Sequence, residues 1–124
     1  METLNQISYD IIGASYKVHS VLGPGLLESV YEVCLEHELL KIGYKVERQK
    51  PLPIIYDGVR LDAGFRIDLL VDDVVVIELK SVNEMMPVFN AQLMTYLKLT
   101  ELKLGLLLNF NVADMKKGIT RIVM

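Results

Sequence analysis

Two β-prone runs, Phe65 to Val71 and Val75 to Val82, are separated only by Asp72, Asp73 and Val74. No other feature restricts the fold of this chain as much. So short a connection joins antiparallel neighbours, because parallel strands need a long crossover. Side chains alternate faces along a strand, so each run divides into two sets of residues. A two-residue turn over Asp72-Asp73 would place Asp68 opposite Ile77, with its charge desolvated on an apolar face, which is expensive. A three-residue loop centred on Asp73 places Asp68 opposite Glu78 and Arg66 opposite Lys80. Every charge then lies on one face, and Ile67, Leu69, Val71, Val75, Ile77 and Leu79 make up the other. Burial therefore selects the odd loop and fixes the register.

That register sets two carboxylates directly across from each other, which destabilises a sheet. Two readings stay open at this point. Asp68 and Glu78 are solvated at a strand end with Lys80 and Arg66 as counter-charges, or they hold a divalent cation, for which carboxylates are the preferred ligands.

Helical periodicity governs the flanking segments. Thr3 and Gln6 have capping-box spacing ahead of an apolar stripe of Leu4, Ile7, Ile11, Ala14 and Val18. This helix is expected to stop at Gly23-Pro24-Gly25, and a second to run from about Leu26 to Ile42, closed by Lys41 and Gly43. Tyr44 to Lys50 then alternates, and Asp57-Gly58 between Ile54-Ile55-Tyr56 and Val59-Arg60-Leu61 signals a hairpin. Pro87 suits the first turn of a third helix reaching Leu99. Leu104 to Phe110 reads as a buried strand, and Ile119 to Val123 as an edge strand after a Lys116-Lys117-Gly118 turn. The expected order is ααββββαββ, an α/β domain around a mixed sheet spanning residues 1–124.

Composition narrows the function. The apolar fraction of 52% is high for 124 residues, so a homo-oligomer or a protein partner is expected to cover some of it. No apolar run reaches the ~20 residues of a membrane span, and the N-terminus lacks the pattern of a signal peptide. With a single cysteine, Cys34, no internal disulfide forms, and a cytoplasmic location is expected. A net charge of −3 gives no overall attraction to nucleic acid, so such binding must be local or metal-assisted. His19 and His37 lie on separate helices and give no zinc-ligand spacing. Lys45, Arg48 and Lys50 form a basic stretch suited to a nucleic-acid backbone or to a solvated strand edge.

Three more polar residues complete the candidate site. Glu28 opens a helical line continued by Tyr31, Leu35, Leu39 and Ile42, and Gln92 and Tyr96 share a helix face at i and i+4. Together these residues carry a resemblance. Gly25-Leu26-Leu27-Glu28-Ser29-Val30-Tyr31 matches the pattern of the GxxExxY family, which is similar to the PD-(D/E)XK nuclease superfamily. Asp68 followed by Glu78-Leu79-Lys80 matches the superfamily's acid and (D/E)-x-K, and Gln92 with Tyr96 resembles the QxxxY motif of its RecB-like members. Ile67 stands where the superfamily often has proline.

The resemblance implies a restriction-endonuclease-like fold and Mg²⁺-dependent hydrolysis of DNA or RNA, with Mn²⁺ as an alternative ion. It makes Glu28, Asp68, Glu78 and the Leu79 carbonyl the metal ligands. Lys80 would orient the attacking water or stabilise transition-state charge, and Gln92 and Tyr96 would position the site. The alternative is a catalytically weak or inactive nuclease-fold domain that acts through a protein partner or as a homo-oligomer.

Overall fold

The computed structural model describes residues 2–124. Helices α1 (Glu2–Leu22) and α2 (Glu28–Ile42) lead into β1 (Val46–Pro51), β2 (Ile54–Tyr56), β3 (Val59–Leu61), β4 (Arg66–Val71) and β5 (Val75–Lys80). There follow α3 (Pro87–Thr100), β6 (Leu104–Asn109), a 3₁₀ turn (Met115–Gly118) and β7 (Ile119–Val123). Five strands, not four, precede α3. Both arms of the Asp57-Gly58 hairpin count as strands, and β2 and β3 form a sheet of their own apart from the main one. The main sheet has the order β1-β4-β5-β6-β7. Its β5–β6 pair is parallel, bridged by α3, and its other pairs are antiparallel.

The apolar pattern of each element explains these layers. Ile7, Ile11 and Val18 of α1, with Tyr31, Leu35 and Leu39 of α2, pack on Leu69, Val71, Val75, Ile77 and Leu79. On the opposite face Leu93, Tyr96 and Leu97 of α3 meet Leu70, Val76 and Leu107. β6 lies between both layers, and every residue of it is buried, as its continuous apolar run requires. Gly105 in β6 admits α3, since a Cβ there would stand 2.8 Å from Leu93 Cδ1. The α1–α2 connection is tied down by Tyr31, which stacks on Phe110 at 4.5 Å and donates its hydroxyl to the Gly23 carbonyl at 2.6 Å.

Helix ends follow local chemistry in most places. Gly43, with φ 108°, closes α2 by donating to the Leu39 and Leu40 carbonyls, and Pro87 opens α3. The expected capping box does not form. Thr3 lies within α1, and Gln6 donates instead to Asp10 at 3.0 Å.

The β4–β5 register is the one that burial selects. Leu69 pairs with Ile77, Leu70 with Val76 and Val71 with Val75, so the same register sets Asp68 against Glu78. Asp72 and Asp73 take left-handed φ values of 51° and 59°, and Val74 donates back to Val71 at 3.0 Å. Two details depart from expectation. Ile67 packs on the α3 side, not with Leu69 and Val71, and Arg66 turns toward Asp62 at 3.6 Å rather than standing across from Lys80. Both follow from a break in the alternation at Asp68, where regular β4–β5 pairing stops and side chains take over the backbone hydrogen bonds.

Candidate active site

Where that ladder breaks, Asp68 and Glu78 lock together. The Asp68 amide donates to Glu78 Oε1 at 3.3 Å, and Asp68 Oδ2 accepts from the Leu79 amide at 2.8 Å. The amide and carbonyl of one strand residue lie on the same edge, so the Leu79 carbonyl faces β4 rather than β6. Glu78 sits near the carboxyl end of β5, in the middle of the sheet, and is only 5% exposed. Burial, and then the charge of Asp68, push its carboxyl up to about 8. Burial also raises Asp68, against the opposing hydrogen bond from Leu79. At neutral pH Glu78 is therefore largely protonated, since like charges this close resist joint ionisation.

The third acid of the cluster is Glu32, not Glu28. Glu32 is 6% exposed, and burial raises its carboxyl above the usual range. Its charge acts on Glu78, and that of Asp68 acts on it. Glu28 is exposed and makes no hydrogen bond or ion pair to the cluster among the described residues. The physical reason is that the first turn of α2 overhangs the sheet: Leu27, Glu28, Ser29 and Val30 are all exposed. Burial on α2 begins at Tyr31 and continues through Glu32, Leu35 and Leu39, while Ile42 at the far end is exposed as well. Glu32 was legible in principle, because it lies three residues before Leu35 and seven before Leu39, on the core side of the helix.

Gln49 joins the two halves of the cluster. Its Nε2 donates to Glu32 Oε1 at 2.7 Å and to Asp68 Oδ1 at 3.3 Å. Its backbone has φ 54° within β1. A left-handed conformation costs a non-glycine residue about 1–2 kcal/mol. The β1–β4 ladder pairs Arg48 with Leu69 and Lys50 with Ile67 but omits the Gln49–Asp68 pair between them. No sequence signal marks Gln49, since glutamine has no preference for such a conformation.

The remaining expected residues line the α3 side. The Lys80 ammonium stands 4.4 Å from the centroid of the Phe89 ring, and its charge favours ionisation of both Asp68 and Glu78. Gln92 Nε2 donates to the Tyr96 hydroxyl at 3.2 Å. Burial and then the charge of Glu78 raise the Tyr96 phenol, so that hydroxyl belongs to the same electrostatic environment. Phe65 packs edge-on against Tyr96 at 5.6 Å. Asp68, Glu78, Lys80, Gln92 and Tyr96 are thus brought together, and Glu28 is not.

The donor chemistry suits a hard divalent cation: three carboxylates, two of them buried, beside one backbone carbonyl. As they stand, no three His, Cys, Asp or Glu side chains among the described residues converge closely enough to hold a metal ion. The Gln49 amide lies between Glu32 and Asp68. The basic stretch is no open track for a polyanion. Lys45 pairs with Asp73 at 2.9 Å, Lys50 with Glu47 at 2.9 Å, and Arg48 with Glu36 at 3.7 Å and Glu32 at 3.9 Å. No helix among the described residues is long and apolar enough to cross a membrane.

No curated protein and no solved structure matches the chain significantly. A family model, that of the PD-(D/E)XK nuclease superfamily, matches residues 5–122. The superfamily's nucleases generally depend on divalent metals, and the three helices with a mixed five-stranded sheet are its α/β, restriction-endonuclease-like fold. With nearly its whole length matched and Asp68 facing Glu78-Leu79-Lys80 across one hairpin, the chain belongs to the PD-(D/E)XK nuclease superfamily.

Proposed function

We propose that this protein hydrolyses phosphodiester bonds of nucleic acid, DNA first among the candidates, using Mg²⁺ or Mn²⁺. The observation that carries the reading is the half-buried Asp68 set against the buried Glu78, with the Lys80 charge acting on both. Folding alone gives no reason to oppose two carboxylates in a sheet. Glu32, Asp68 and Glu78 would hold the ion, with the Leu79 carbonyl as a further ligand, and Glu32 takes the part first expected of Glu28. A bound divalent ion supplies Lewis-acid polarisation of the phosphate and a lowered pKa for water.

The chain's own residues do the rest. Glu78 must release its proton for the carboxylates to act together, and Lys80 favours that release. Lys80 then faces the phosphate, where a fixed cation stabilises charge that develops in the transition state. Phe89 steadies the ammonium by a cation–π contact while leaving its protons free to donate. Tyr96, fixed by Gln92 and Phe65, offers a hydroxyl beside Glu78 to position the substrate or a water.

One observation favours a second reading, a nuclease-fold domain with weak or no catalysis that acts through a protein partner. Lys45, Arg48, Lys50 and Arg66 are all paired with acids, so the β1–β4 edge presents little uncompensated positive charge to a backbone. The deciding experiment incubates labelled single- and double-stranded DNA and RNA with purified protein in Mg²⁺ or Mn²⁺. The nuclease reading expects cleavage that chelator stops and that Asp68→Ala lacks. Metal binding without cleavage of any substrate would leave only the second reading.

A further inference from the structure

Gln49 carries a cost that its place in the fold does not require. Other non-glycine residues with positive φ sit in turns or helix caps, as Asp57, Asp72, Asp73 and Glu101 do. Among the described residues, Gln49 alone stands inside a strand of the main sheet. The distortion removes one rung from the β1–β4 ladder, opposite Asp68. In exchange the side chain reaches across the sheet surface to α2 and binds Glu32 and Asp68 with a single amide nitrogen. Strain kept within a site, with the surrounding ladder intact on both sides, points to a functional contact.

We propose that Gln49 is a positioning residue, an amide latch that occupies the Glu32 and Asp68 oxygens and must leave them before a divalent cation can use them. This inference rests on the metal-dependent reading above. An amide nitrogen has donor hydrogens and no free lone pair, so it satisfies carboxylate oxygens but does not ligate a cation. The latch and the ion therefore compete for the same two oxygens. The latch also holds α2 and β4 at a fixed separation, so Glu32 and Asp68 stay assembled while the ion exchanges. If Gln49 served only to kink the strand, replacing it with a glycine at the same φ would leave ion affinity untouched.

The test compares the parent protein with Gln49→Gly, which keeps the left-handed backbone without strain. Calorimetric titration with Mn²⁺ should give a Kd about tenfold lower for Gln49→Gly, the worth of one hydrogen bond to a charged group. An equal or higher Kd in a folded variant would overturn the latch. A second measurement needs no variant. In chelator the Gln49 side-chain amide protons of the parent should exchange slowly with solvent, and saturating Mg²⁺ should shift their resonances and speed exchange at least tenfold. Unmoved Gln49 resonances, with the Asp68 and Leu79 amides shifted by Mg²⁺, would reject the latch and leave the metal site standing. If neither ion perturbs any resonance or gives heat, the metal-dependent reading itself fails, and the latch falls with it.

Discussion

Neutralising Glu78 should stabilise the protein in chelator at alkaline pH. A carboxyl raised from 4.5 to about 8 in the folded state binds a proton that the unfolded chain has already released across that window. Native stability from this group is therefore complete below about pH 4.5, declines as pH rises, and is lost above about pH 8. One pH unit is worth about 1.4 kcal/mol, so the full effect has an upper bound of about 5 kcal/mol. Local relaxation reduces such bounds, and about 2–4 kcal/mol is expected. Glu78→Gln keeps an oxygen to accept from the Asp68 amide and adds a donor toward the Asp68 carboxylate. Urea unfolding in EDTA at pH 5, 7 and 9 reads the difference between variant and parent. The two should agree at pH 5, and the variant should be the more stable by about 2–4 kcal/mol at pH 9. If Glu78→Gln is less stable than the parent at pH 9, the buried acid serves the fold, and the argument that its charge is held for function is wrong.

Other residues give sharper contrasts. Glu32→Ala and Asp68→Ala should abolish Mn²⁺ binding in calorimetry, whereas Glu28→Ala, on the exposed first turn of α2, should retain it. Lys80→Ala should bind Mn²⁺ as tightly as the parent or more so, while cleavage of labelled DNA falls roughly 10²–10³-fold through loss of a fixed cation. Mn²⁺ binding should release close to one proton at pH 7, measured from heats in buffers of different ionisation enthalpy, because Glu78 is protonated there. Gly118→Ala should lower the urea midpoint sharply, since its Cβ would lie 2.1 Å from the Asn109 carbonyl oxygen, which is backbone and cannot easily move.

The sequence made the hairpin legible because one wrong step in register would have buried Asp68 against Ile77. A penalty of that size leaves few alternatives, and Asp68 and Glu78 follow from it. The same rule failed for Ile67, because alternation assumes an unbroken ladder, and the ladder stops at Asp68. Glu28 was singled out and Glu32 passed over because periodicity gives the face of a helix and not how far its end overhangs the sheet. That overhang depends on the Gly23–Leu27 connection, tied by Tyr31 to Gly23 and Leu26. Gln49 left no trace, since its hydrogen-bond partners Glu32 and Asp68 lie 17 and 19 positions away in the chain. The paired state of Lys45, Arg48 and Lys50 was also hidden, because their partners come from α2 and from the β4–β5 turn as well as from β1 itself.

The most direct measurement is anomalous diffraction from crystals soaked in Mn²⁺. A peak within ligand distance of carboxylate oxygens of Asp68, Glu78 and Glu32, with the Gln49 amide turned away from Asp68, is the predicted result. A peak held by Glu28 instead of Glu32, or no peak between Asp68 and Glu78 at saturating Mn²⁺, would contradict the site.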